Sequence, residues 1–292
     1  AVIVATARSP IGRAMKGSLK DIRPDDLSAQ VLTDLMSKVP AVTPDHIDDL
    51  LMGCGQPAGE SGHNIGRATA VLLGWNQVPG VTVNRYCSSS LMTIRMAAHA
   101  IKAGEGDCFV AAGVETVSRY VHGMADGPHN PTFEEAEART AKMAEGNEAD
   151  WAPHDGLPDL YIAMGQTAEN VAEYKQVSRE AQDEFAARSQ NLSEQSLDEG
   201  YWADEITPIT LPDGTVVKDD DGIRRGTTAE KLSGLQPVFR PGGTVTAGNA
   251  CPLNDGAAGV VVMSDTLAKE LGLTPLARIV SSGVSGLNPE IM

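Results

Sequence analysis

The sequence is short of positive charge: 23 lysines and arginines face 39 aspartates and glutamates, a formal net charge of −16 over 292 residues. That balance excludes a nucleic-acid backbone or an anionic membrane surface as the main partner, because both demand a positive footprint. No apolar run is long enough to span a bilayer and no charged-then-apolar leader opens the chain, so a soluble, cytoplasmic protein is expected. Cysteine is scarce as well. Cys54, Cys87, Cys108 and Cys251 stand far apart without paired ligand spacing, and a chain this long needs no covalent staples, so neither disulfides nor zinc are implied.

The first hundred-odd residues alternate strand-like and helix-like segments. A strand over 2–6 precedes a helix over 24–36 that carries Asp25 and Asp26 in its first turn. A strand over 50–52 leads through a glycine-rich loop, 53–62, into a helix over 64–73. A strand over 81–83 leads into a helix over 88–103, and a strand over 108–112 closes the series. Such alternation predicts an α/β fold whose sheet has parallel character and is covered on both faces. In the helix over 88–103, Leu91, Met92, Ile94, Met96, Ala97, Ala98 and Ile101 run most of the way round, which predicts a fully buried helix.

Residues 118–244 read as an excursion rich in charge, proline and glycine, with helices over 165–174 and 178–199. Within it, Asp219-Asp220-Asp221-Gly222 is expected to be a solvated turn, since its spacing does not fit a calcium loop. Core texture returns at Val245, with a strand over 259–263, a helix over 265–271 and a strand over 277–282 that begins another unit. At this length two subdomains are expected.

Cys87 lies at the junction of the strand over 81–83 and the long apolar helix. A thiol there faces unpaired backbone N–H groups and the positive end of the helix dipole, which favour the thiolate that acyl transfer needs. An unpaired cysteine is also a common core filler, and the residues by themselves leave both readings open.

Four motifs in order, Ala5-Thr6-Ala7-Arg8-Ser9-Pro10-Ile11-Gly12, Asn84-Arg85-Tyr86-Cys87-Ser88-Ser89-Ser90-Leu91, Met164-Gly165-Gln166-Thr167-Ala168-Glu169-Asn170 and Val245-Thr246-Ala247-Gly248-Asn249 followed by Asn254-Asp255-Gly256-Ala257, resemble the thiolase family. The resemblance runs through the whole chain and implies a layered αβαβα architecture. Its divisions would be an N-terminal α/β domain over 1–117 and 245–272, a loop domain over 118–244 that lays coenzyme A over the active site, and the start of a C-terminal domain over 273–292. It further implies an acyltransferase that takes coenzyme A as a substrate, binds no permanent cofactor and forms a homodimer or homotetramer.

By the same resemblance Cys87 matches the acyl-accepting cysteine, whose acyl-thioester splits one hard step into two. Arg224 matches the arginine at the adenine end, where a guanidinium can stack on a purine and attract phosphates. Arg224, Arg225, Lys231 and Arg240 form a basic cluster in an acidic protein. Leu235, Val238, Phe239 and Ala247 match apolar coenzyme A contacts, and Met164 and Met292 match residues of the acyl pocket. Cys251 stands where serine is frequent, and a thiol is the poorer hydrogen-bond partner for the pantetheine. Ala163 replaces the histidine common in short-chain biosynthetic members, which leans towards a degradative or broader-chain enzyme. Ser90 replaces a frequent glycine and should crowd the backbone near Cys87.

The family's Gly-His-Pro, Cys-x-Gly and Asn-Glu-Ala-Phe motifs do not occur in the sequence. They supply the base, the second acid and an oxyanion donor. His63, His129 and His154 lie in loop-like contexts without a recognised partner, and His99 reads as a structural histidine. The expectation is therefore a thiolase whose C-terminal half is largely absent and which is inactive by itself. The alternatives are a non-catalytic coenzyme A-binding or scaffolding fragment and a related condensing enzyme, against which the Arg224 region weighs by favouring coenzyme A over a carrier protein.

Overall fold

A computed structural model describes residues 1–146 and 151–292. In chain order the elements are β1 (Val2–Arg8), β2 (Gly12–Arg13), α1 (Pro24–Ser37), β3 (Asp49–Gly53), α2 (Ile65–Leu72), β4 (Gly80–Val83), α3 (Ser89–Ala103) and β5 (Cys108–Thr116). Then come α4 (Glu134–Ala144), α5 (Met164–Lys175), α6 (Arg179–Asp198), β6 (Ile209–Thr210), β7 (Val216–Val217), α7 (Ala229–Ser233), β8 (Asn254–Met263), α8 (Asp265–Glu270) and β9 (Ala277–Arg278). Contacts divide the chain into a first unit, 1–126, 201–222 and 253–282, and a second unit, 127–200, 223–252 and 283–292.

The first unit is built on a sheet of order β4-β3-β5-β8-β1-β9, with β2 beside β8. β3 pairs in parallel with β4 and with β5. The parallel character ends there, because β8 runs antiparallel to both β5 and β1. The register shows why. Thr116, where β5 ends, lies opposite Asp255 near the start of β8, so the whole excursion is the connection of one long hairpin, and an antiparallel pair needs no crossover. The mouth is held by Asp255, whose carboxylate accepts from Ser118 N at 2.8 Å and Ser118 Oγ at 2.5 Å. The strand expected over 277–282 is reduced to β9, which pairs with β1 at the sheet edge.

Alternation along the strands sorts side chains to two faces. Val110 and Ala112 of β5 pack with Leu27, Val31, Leu32 and Leu35 of α1 and Ile65 and Ala70 of α2. Each buried valine, leucine or isoleucine among them contributes roughly 1.5–3 kcal/mol. On the other face Phe109 and Ala111 meet Ala97, Ile94 and Ile101 of α3. Gly259 permits the first contact, since a Cβ there would lie 2.7 Å from Leu32 Cδ2.

α3 corrects one expectation. It buries Ser89, Thr93, Ala97 and Ala98 against the sheet, while Leu91 on its other side is 69% exposed. The apolar residues wrap the helix as the periodicity indicates, yet the sheet covers only one side. The acidic run corrects another. Asp220 binds Arg8 through both carboxylate oxygens and accepts from Ile11 N, and Asp221 accepts from Arg13 N, Ser18 N and Ser18 Oγ. These two aspartates are structural anchors, because they satisfy amide donors of the loop that follows β1.

In the second unit the buried carboxylate of Glu169, on α5, accepts from Thr244 N, Thr244 Oγ1 and Val245 N. Asn170 beside it accepts from Arg240 Nη2 at 2.7 Å and donates Nδ2 to Glu290 O at 2.8 Å. The Glu169-Asn170 dipeptide thus ties the 240–245 and 288–292 segments to one helix. Among the described residues no helix is long and apolar enough to cross a membrane.

Candidate active site

Cys87 is exposed and sits in a 3₁₀ turn, Tyr86–Ser88, between β4 and α3. The helix itself starts at Ser89, one residue later than the pattern predicts, with Ser88 as its N-cap residue. Tyr86, immediately before the cysteine, has φ +43°, a left-handed conformation that costs a non-glycine residue about 1–3 kcal/mol. Hydrogen bonds hold it there. Tyr86 N donates to Asn84 Oδ1 at 2.9 Å, and Ser89 Oγ accepts from Arg85 N at 2.8 Å while donating to Tyr86 O at 2.6 Å. The tyrosine hydroxyl donates to Asp126 Oδ1 at 3.0 Å.

Two glycines set the depth at which this turn lies. Gly53 and Gly113 are opposite each other on β3 and β5. A Cβ on Gly53 would stand 2.5 Å from Ser90 N, and one on Gly113 would stand 1.8 Å from Ser90 Oγ. Glycine in a strand interior marks close approach of another backbone, here the head of α3. The crowding expected from Ser90 is thus relieved by the bare backbone of Gly113.

The result is an open cleft of about 500 Å³ lined by Cys87, Tyr86, Ser90, Cys54, Glu115 and Tyr120 among others. Arg8 also lines it, but its guanidinium is committed to Asp220 and Glu205 and lies over the Trp202 ring at 5.2 Å. Glu115 is the one charged residue of β5 and precedes Thr116, the last residue of that strand. Its carboxylate accepts from Gly55 N at 2.6 Å, Gln56 N at 3.3 Å and Cys54 Sγ at 3.7 Å. Burial, with the Glu115 charge beside it, pushes the Cys54 thiol up to about 12, so it stays protonated and donates. Burial and the same carboxylate raise the Tyr120 phenol as well. The sequence pattern does not single out Glu115 or Asn84, although a carboxylate within a buried strand is a signal that points to the first.

The coenzyme A candidates all belong to the second unit. Arg224, Lys231, Ala247 and Cys251 are exposed, Leu235 and Val238 are exposed apolar residues, and Phe239 is half-buried. Arg224 Nη1 donates to Ala247 O at 3.3 Å, and a Cβ on Gly248 would meet Leu235 Cδ1 at 2.5 Å, so Arg224, Ala247 and Leu235 share one locale. Lys231 Nζ donates to Gly226 O at 2.7 Å. Val238 N donates to Val245 O, and the Phe239 ring lies against Gly165. Met164 heads α5 and is 57% exposed; Met292 is 67% exposed.

The basic cluster is smaller than the sequence suggests. Arg225 is paired with Asp198 and Glu194, and Arg240, its side chain 7% exposed, binds Glu173, Gln166 and Asn170. Arg240 spends its charge inside the fold and Arg225 in an exposed ion pair, while Arg224 and Lys231 reach backbone carbonyls. Two histidines also have partners: His154 Nε2 lies 2.8 Å from Glu290 Oε2, and His129 Nδ1 lies 2.9 Å from Glu137 while its ring stacks on Tyr161. His99 Nε2 lies 3.4 Å from Ser282 Oγ.

Comparison with known proteins bears directly on this strand–turn–cysteine–helix arrangement. The family model for the thiolase N-terminal domain matches residues 1–266. The beta-ketoadipyl-CoA thiolase of Acinetobacter baylyi is 41% identical over 301 residues, an alignment that spans 100% of this chain and 73% of that protein. The acetyl-CoA acetyltransferase of Bacillus anthracis superposes with a TM-score of 0.81 at 37% identity, covering 99% of this chain and 72% of the other. The dimeric peroxisomal thiolase of Saccharomyces cerevisiae superposes at 0.86 with 34% identity, covering 99% and 71%. With a family model over most of its length and relatives this similar, the chain belongs to the thiolase family.

Proposed function

We propose that this chain carries out the acyl-accepting half of a coenzyme A-dependent thiolase reaction, with Cys87 as nucleophile. The Cys87 thiolate adds to the 3-keto carbon of a 3-oxoacyl-CoA. The bond between C2 and C3 then breaks, acetyl-CoA departs as its enolate and takes up a proton, and an acyl-thioester remains on Cys87. The thiol of free coenzyme A resolves it, releasing the shortened acyl-CoA. Run backwards, the same steps make a Claisen condensation. The observation that carries the proposal is an exposed cysteine on an open cleft at the head of a helix, held by a left-handed turn, in a chain of this family.

In this reading Arg224 takes the adenine end of coenzyme A, supported by Lys231, Leu235, Val238, Phe239, Ala247 and Cys251, and Met164 and Met292 line the acyl pocket. The functional division is 1–117 with 245–272 for the nucleophile, 118–244 for coenzyme A and 273–292 for the start of a second domain. The reading extends to a cytoplasmic homodimer or homotetramer that uses coenzyme A as substrate and acts in fatty acid metabolism. The Gly-His-Pro, Cys-x-Gly and Asn-Glu-Ala-Phe motifs do not occur in these 292 residues, so this polypeptide alone turns over negligibly.

Incubation with labelled acetoacetyl-CoA followed by peptide mapping tests the assignment. Slow labelling of Cys87, lost in Cys87→Ser, is expected; label on another residue overturns it. Robust steady-state thiolysis by the 292-residue polypeptide would overturn the dependence on the three motifs.

A further inference from the structure

A path of hydrogen bonds through Gly55 and Asn84 joins Glu115 to the cysteine turn. The Glu115 carboxylate accepts from Gly55 N at 2.6 Å. Gly55 O, on the same residue, accepts from Asn84 Nδ2 at 3.0 Å. The other atom of that amide, Asn84 Oδ1, accepts from Tyr86 N at 2.9 Å, and Tyr86 is the left-handed residue that places Cys87. Each link uses a different atom of a residue fixed by the previous link, so the direction of the Asn84 amide is determined. Its nitrogen must face Gly55 O and its oxygen Tyr86 N.

We infer that Glu115 is a positioning residue for Cys87, acting through Gly55 and Asn84 to hold Tyr86 in its left-handed conformation; this rests on the reading of Cys87 as nucleophile. Two further observations support it. Glycine at 55 favours the link, because a Cβ there would lie 2.8 Å from Glu115 Oε2 and push the carboxylate aside. The carboxylate also receives Gln56 N and the Cys54 thiol, so it is supplied with donors from three consecutive residues of the loop. A left-handed non-glycine residue persists where the surroundings over-determine it. Here the determination comes from the backbone side through Asn84 and from the ring side through Asp126, which Gln56 Nε2 contacts in turn at 2.5 Å.

The test is hydrogen exchange at the Tyr86 amide, read beside the rate at which iodoacetamide modifies Cys87. In Glu115→Ala the Tyr86 amide is expected to exchange about tenfold faster, with amides inside α3 unchanged, as a local opening predicts. Modification of Cys87 should slow about threefold as the thiol loses its place at the head of the helix. Glu115→Gln keeps an acceptor for Gly55 N and should stay within about twofold of the parent. Asn84→Asp keeps the acceptor for Tyr86 N but loses the donor to Gly55 O, so about threefold faster exchange is expected even if Glu115→Ala does not fold. Tyr86 exchange at the parent rate in a folded Glu115→Ala or in Asn84→Asp overturns the inference, as does a Glu115→Gln protein that behaves like Glu115→Ala. An acyl label found away from Cys87 would remove the proposed reaction and leave these exchange rates standing, so the two failures are distinguishable.

Discussion

Trp151 donates its indole Nε1 hydrogen to Glu290 Oε2 at 2.7 Å, and the carboxylate that receives it is 2% exposed. Arg139 Nη2 and Asp159 N reach its other oxygen at 3.0 and 2.8 Å, and His154 Nε2 lies 2.8 Å from the first. Burial alone would raise this carboxyl group. The Trp151, Asp159, His154 and Arg139 donors outweigh it and bring the group from 4.5 to about 2.

Stability of the second unit should therefore depend on acid in a defined window. With the folded value below the unfolded one, the Glu290 contribution is complete above about pH 4.5 and is lost as pH falls towards 2, a total of roughly 3 kcal/mol. Glu290→Gln is expected to lose most of that at neutral pH. Urea midpoints of the two proteins should converge as pH drops from 5 to 2. A constant gap across that range would contradict the assignment.

Arg224 and Arg240 stand close in sequence but should fail differently. Arg224→Ala removes an exposed guanidinium and should weaken coenzyme A about fivefold, roughly 1 kcal/mol, with an unchanged melting temperature. Arg240→Ala leaves Glu173, Gln166 and Asn170 without their shared donor and should cost about 3 kcal/mol of stability. Calorimetric titration with coenzyme A and thermal melts of both variants separate the two effects. A normal melt for Arg240→Ala would contradict the structural role of that residue.

Gly113→Ala should destabilise the first unit by about 1–3 kcal/mol through overpacking, since the new methyl meets Ser90 Oγ and Ser90 Cβ before any other atom. Ser90→Gly should suppress most of that loss. A double-mutant cycle from denaturant unfolding measures the coupling. Gly53→Ala offers no such rescue, because its methyl meets the backbone nitrogen of Ser90.

The elements that the pattern places most securely are those where local chemistry and burial agree. α1 begins at Pro24 with Asp25 and Asp26 in its first turn, and α6 begins after Ser178, whose Oγ accepts from Ala181 N. The pattern gives β5 and β8 too short and β9 too long. β5 continues through Gly113-Val114-Glu115-Thr116 and β8 starts at Asn254, because glycines and polar residues at those ends are held by partners distant in sequence. The periodicity gives no sign of α4 inside the charged excursion, where the polar composition hides the buried Ala136 and Met143.

The sequence by itself determined the family, through four motifs in order, and the position of Cys87 between a strand and a helix, because motif order and hydrophobic period are properties of the chain alone. Only tertiary structure decided which charges are available. Arg240 and Arg224 look alike in the sequence, and whether a guanidinium is free depends on Glu173 and Asn170, which the fold brings to one of them and not the other. The same holds for Cys87. Its turn is secured by Glu115, Gly55 and Asn84, three residues on three segments that meet only when β3, β4 and β5 lie side by side.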